Sequence, residues 1–202
     1  MLSPKASVAE EMTPMTTTKN SSVNFQVGEA VVYPAHGVGR ITAIEEQEVA
    51  GFTLQVFAVF FEHNKMTVRI PVAKAAGSGL RKIAEPALVQ QALDVLTGRA
   101  QPKRGIWSRR AQEYEVKIKS GDLLALAEVA RDLYRAPDQA EPSYSERTLY
   151  ELVLETLVRE ISAAQGSTYT EAQKLVEQTL ATALRHAKGA KPAAPDSEDA
   201  AA

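Results

Sequence analysis

Glu85-Pro86-Ala87-Leu88-Val89-Gln90-Gln91-Ala92-Leu93-Asp94-Val95-Leu96-Thr97-Gly98 is where the chain changes its period. Pro86 suits a first helical turn, because the N–H it lacks would have no partner there, and Gly98 follows the last apolar residue, Leu96. Before this stretch the pattern is short and β-like: Ala30 to Tyr33, Gly39 to Ile44, Phe52 to Phe61 and Met66 to Ile70. Gly28, Gly37, Gly39 and Gly51 punctuate it at turn positions, and Pro34 and Pro71 fall at strand ends. After it the apolar spacing is helical. A second helix is expected from about Ser108 to Lys119, stopped by Gly121. Asp122 caps a third, with Leu123, Leu126, Ala127, Ala130, Leu133 and Tyr134 on one face until Pro137. Ser143 with Glu146, and Thr168 with Glu171, are capping-box pairs opening a fourth helix, closed by Gly166, and a fifth that ends near His186. The expected class is α+β, a small barrel-like β module over 24–80 followed by an all-α bundle of about five helices over 81–187. Residues 1–23 and 188–202 lack hydrophobic periodicity and are expected to be disordered tails.

With 202 residues and 45% hydrophobic content, the chain can bury a true core. No run approaches the roughly 18 apolar residues of a membrane span, and the first twenty residues lack the apolar centre of a secretory leader. The expectation is a cytoplasmic protein with no membrane role. The absence of cysteine removes disulfides, thiolate metal sites and cysteine nucleophiles together. Phosphate-loop, dinucleotide, nucleophile-elbow and zinc-protease motifs are all missing, and Gly77-Ser78-Gly79 reads as a linker. His36, His63 and His186 have no metal-ligand spacing, and Glu45, Glu46 and Glu48 read as a solvated acidic edge. No enzyme, cofactor or metal is expected. No dimer-forming heptad is present, which points to a monomer.

Two segments remain. From Arg99 to Arg110 there are five basic residues (Arg99, Lys103, Arg104, Arg109, Arg110) and no acidic one, in a chain of net charge -2 that holds one tryptophan, Trp107. Such a segment can neutralise phosphates while its ring stacks on an unpaired base or wedges a disturbed step, stacking being worth about 1–3 kcal/mol per base. The same residues also suit a core tryptophan beside a solvated basic face, and both readings stand. No helix aligns Asn, Gln and Arg to read base edges, so sequence-specific binding is not expected. In the β module, alternation along Met66-Thr67-Val68-Arg69-Ile70-Pro71 puts Thr67 and Arg69 on one face, where an exposed Arg can pair with a protein carboxylate.

Val27-Gly28-Glu29-Ala30-Val31-Val32-Tyr33-Pro34-Ala35-His36-Gly37-Val38-Gly39 resembles the opening of CarD-like bacterial transcription regulators. Met66 to Pro71, Trp107-Ser108-Arg109-Arg110, Ser120-Gly121-Asp122 and Val129-Ala130-Arg131-Asp132-Leu133-Tyr134 resemble the same family in the same order. Transcription-repair coupling factors share the opening, but the chain lacks their nucleotide motifs. The resemblance implies a Tudor-like module that binds the β subunit of RNA polymerase. It also implies a helical domain that contacts promoter DNA, at the minor groove and backbone, upstream of the melted region. On that pattern Trp107 is the wedge at the upstream fork, Arg109 and Arg110 lie on nearby backbone beside the basic Lys103 and Arg104, and Arg147 is a further DNA contact. Arg69 belongs to the polymerase face, with Thr67 and with Gln47, where some members carry Arg; Gln112 likewise replaces a Lys. The expected role is stabilisation of the promoter open complex by a protein held at the nucleoid through polymerase. The alternative is a protein-only adaptor with Trp107 in the core.

Overall fold

Phe57, Val59 and Phe61 alternate along one strand and are all buried, which fixes the inner face of the β module. The computed structural model describes residues 25–49, 51–101, 105–136 and 139–189. Five antiparallel strands, β1 (Ala30–Tyr33), β2 (Gly37–Val49), β3 (Phe52–Phe61), β4 (Met66–Pro71) and β5 (Arg81–Lys82), form one sheet in the order β4-β3-β2-β1-β5. The inner face joins Phe25, Val31, Ile41 and Ile70 to the β3 residues in one core. At Gly39 a Cβ would fall 2.7 Å from the Phe61 ring, so close approach of that ring requires glycine there. A bulge between Ile41 and Ala43 shifts the β2–β3 register, and the Thr42 hydroxyl donates to the Ala58 carbonyl at 3.0 Å. The sheet is open, with β4 and β5 as its edges, and so forms no closed barrel. Two elements have no counterpart in the sequence pattern. One is β5, held by Val31↔Lys82 and Val32↔Arg81; the other is a 3-10 turn at Val72–Lys74.

The helices are α1 (Pro86–Thr97), α2 (Trp107–Ser120), α3 (Leu123–Leu133), α4 (Tyr144–Gln165) and α5 (Tyr169–Gly189). Their second core gathers Val89, Ala92 and Leu96 from α1, Leu126 and Ala130 from α3, Leu157 and Ile161 from α4, and Val176 and Leu180 from α5. Helix α3 ends at Leu133, because Tyr134 is already extended; Pro137, expected to end it, lies outside the described residues. Asp122 caps α3 by accepting from the N–H groups of Leu124 and Ala125. Asp122→Ala is expected to lower stability by about 1 kcal/mol, read as a fall in Tm of about 2–4 °C for a chain of this size. The expected capping box forms at Ser143 and Glu146. Thr168 and Glu171 pair reciprocally at the start of α5.

The modules meet along one seam. Gly121, left-handed at φ 68, closes α2 and lies so near Pro34 that a Cβ would come 2.8 Å from the proline ring. The Arg81 guanidinium donates to the Glu160 carboxylate and to the Gly121 carbonyl. At the rim, His63 Nδ1 is 2.6 Å from Arg159 Nη2, and Arg159 also bonds Glu155.

Candidate protein and nucleic-acid interfaces

In the β module, register sorts the side chains. Ile70 is opposite Phe57, and Val68 opposite Val59, on the inner face; Arg69 is opposite Ala58 and Thr67 opposite Phe60 on the outer one. Gln47 is opposite Leu54, and Glu45 opposite Val56, on that same outer face. The structure therefore brings Arg69, Thr67 and Gln47 onto one surface, and all three are exposed. Arg69 Nε donates to Glu45 Oε2 at 3.1 Å, so a partner's carboxylate has to compete with Glu45. Two apolar residues extend this surface along the β2–β3 ribbon, Phe52 at 73% exposure and Leu54 at 39%. The alternation Phe52, Leu54, Val56 against Phe57 carries that signal in the sequence, although the sequence reading placed no site there. Beyond them, β4 is an edge strand among the described residues.

In the helical half, α2, like α1, starts without a side-chain cap bond, but only α2 puts arginines in that first turn. Ile106 at its N-cap supplies no side-chain acceptor, and the first turn holds no acidic residue. Instead it holds Arg109 and Arg110, cations at the positive end of the helix dipole, which costs roughly a few tenths of a kcal/mol for each exposed charge. Arg109 projects into solvent at 80% exposure, with Glu113 as far as 3.9 Å away. Arg110 is held differently. Its guanidinium lies 5.4 Å over the Trp107 ring, and Nη2 reaches Glu146 Oε1 at 3.3 Å. The other oxygen of Glu146 accepts from the Ser143 N–H, so one carboxylate closes the α4 cap and ties α4 to α2.

Trp107 is half-buried. Its inner side rests on the helical core, with the Tyr114 ring 6.4 Å away at 50°. Burial pushes the Tyr114 hydroxyl above its ordinary range, with the Asp132 carboxylate adding to the shift, so this phenol stays neutral and serves as packing. The bridge through Glu146 sets the start of α4 beside the start of α2. There Arg147 is exposed, and Tyr144 stands out at 81% exposure, an aromatic residue the sequence reading did not single out. Lys103 and Arg104 lie outside the described residues, as do most of both tails.

Among the described residues no cluster of three or more His, Asp or Glu side chains could hold a metal, and no helix is long and apolar enough to cross a membrane. His36 stacks on Tyr33, and His63 sits in the seam.

This two-part arrangement, an open sheet with a charged and apolar outer face and a helical bundle with a basic aromatic corner, coincides with two family matches. Residues 25–84 match the CarD-like/TRCF RID domain, and residues 91–177 match the CarD C-terminal domain. A Bacillus subtilis protein named "Putative transcription factor YdeB" is 31% identical over 144 residues, which is 71% of this chain and 94% of that protein. The chain belongs to the CarD-like family.

Proposed function

We propose that this chain is a non-enzymatic bacterial transcription regulator, cytoplasmic and monomeric, that binds the RNA polymerase β subunit through its sheet and stabilises the promoter open complex. The outer face carrying Arg69, Thr67, Gln47, Phe52 and Leu54 is the polymerase surface, and the paired starts of α2 and α4 are the DNA surface. The observation that carries this reading is the start of α2, where a first turn with no side-chain cap and no acidic residue presents Arg109, 80% exposed and only loosely paired with Glu113 one turn on, beside the partly exposed ring of Trp107. A DNA phosphate competes readily for so exposed and loosely held a guanidinium, at the positive end of a helix. Trp107 then lies where it can stack on a base that melting has exposed, while Arg147 and Tyr144 extend the contact along the backbone. Arg110, already paired with Glu146, orients the ring.

The energetics need only differential affinity. A protein that contacts the open state better than the closed one by about 1–3 kcal/mol shifts their ratio roughly five- to hundredfold. Tethering by polymerase raises the local DNA concentration, so a chain of net charge -2 needs no tight DNA binding of its own. The packing of Trp107 on the helical core favours a second reading, a protein-only adaptor.

The test is the lifetime of the open complex formed by purified bacterial RNA polymerase, with and without this chain. A several-fold longer lifetime supports the proposal, and an unchanged lifetime with intact polymerase binding leaves the adaptor. For the polymerase surface, Arg69→Glu is expected to weaken binding at least tenfold in a titration against the β subunit, with Tm unchanged because the Arg69–Glu45 pair is exposed.

A further inference from the structure

The seam between the modules holds a charge that neither surface uses. Glu160 lies on the core-facing stripe of α4 with Leu157 and Ile161 and is fully buried. A carboxylate so placed is retained only with a partner, and Arg81 supplies one from the other module, its Nη1 at 2.5 Å and its Nη2 at 2.8 Å from the two Glu160 oxygens. The same guanidinium donates through Nε and Nη2 to the carbonyl of Gly121, at the C-terminal end of α2. One side chain on β5 therefore grips the C-terminal part of α4 and the end of α2 together. On the opposite side Gly121 abuts Pro34, in the turn between β1 and β2, which leaves little room to slide. Only residues 83–85 connect β5 to α1 covalently. The bonds, rather than the linker, carry the orientation.

We propose that the Arg81–Glu160 pair, closed onto the Gly121 carbonyl, is the joint that sets the angle of the helical bundle on the β module and so positions Trp107 relative to the polymerase surface. Helix α2 has 14 residues, so Trp107 stands about 20 Å from the grip at Gly121. A tilt of about 10° at the joint moves the ring about 3.5 Å, well past the roughly 0.5 Å tolerance of a preorganised site. A rigid joint turns the free energy of polymerase binding into placement of the ring. A loose one leaves both surfaces intact but uncoordinated. Arg81 and Glu160 are thus positioning residues, and their effect on transcription rests on the function proposed above.

The chain has no cysteine, so Thr53→Cys on the ribbon and Gln112→Cys on α2 accept two spin labels for a distance measurement in the full chain. The background with Arg81 and Glu160 intact is expected to give one narrow distance. The variant pair Arg81→Met with Glu160→Met keeps the seam filled without burying a lone charge, and is expected to fold. Its distance distribution is expected to broaden or shift, and in unlabelled protein its open-complex lifetime to fall at least fivefold with polymerase affinity unchanged. Arg81→Lys keeps the charge but not the fork, and is expected to fall between. A distribution that stays narrow in both variants overturns the joint, as does a broadened one with an unchanged lifetime. If the native chain itself leaves the lifetime unchanged, the proposed function fails, while the distances still decide whether the joint exists.

Discussion

Trp107→Ala is expected to shorten the open complex about tenfold while lowering stability by only about 2 kcal/mol. The stability figure follows from half-burial. A fully buried tryptophan costs about 3–5 kcal/mol on truncation, and here only the side against Tyr114 and the helical core is lost. The lifetime figure corresponds to about 1.4 kcal/mol of open-state contact, within the range for one stacked base. Thermal melting beside dissociation kinetics separates the two. Trp107→Phe sharpens the comparison, because a smaller ring still meets Tyr114 and Arg110 but reaches less far outward. It is expected to melt within about 3 °C of the native chain and still to lose most of the lifetime gain. A loss of more than about 4 kcal/mol on Trp107→Ala, with the lifetime unaffected once folding is restored by lower temperature, would make Trp107 a core residue and favour the adaptor.

Arg81→Met by itself is expected to have the largest effect on stability, about 3–5 kcal/mol. It strands the Glu160 carboxylate inside the protein and removes the donors that satisfy the Gly121 carbonyl. In denaturant this appears as a lower midpoint with an unchanged slope. Adding Glu160→Met is expected to recover most of that loss, since an apolar pair of similar volume costs no ionic desolvation. The coupling term of the double-mutant cycle then measures the pair itself. Equal losses for the single and double variants would mean that the bonds to Gly121, rather than the ion pair, hold the seam. This recovery separates stability from positioning, for the double variant is folded yet lacks the directional bonds.

Several features were legible because their causes are local. Asp122, Ser143 with Glu146, and Thr168 with Glu171 each satisfy N–H groups within three residues, so composition alone marks these helix starts. The face shared by Thr67 and Arg69 follows from a period of two, which no distant contact alters. The basic cluster around Trp107 was visible as charge, but its division of labour was not. Whether Arg110 faces solvent or a carboxylate depends on Glu146, 36 residues away, whereas Arg109, next in sequence, is left exposed.

The sequence by itself determined the α+β order, the main strands and helices, the capped helix starts and the residue types on the two proposed surfaces, because these depend on periodicity, side-chain chemistry and backbone constraints acting over a few residues. Tertiary structure decided the rest. It made Arg81–Lys82 a strand through pairing with Val31 and Val32 and left the sheet open. It half-buried Trp107, joined the starts of α2 and α4 through Glu146, and made an ordinary arginine and glutamate, 79 residues apart, the grip between the modules. The physical reason is common to all of these. Burial and pairing energies belong to two groups at once, and a chain brings distant groups together only through the packing of the core between them.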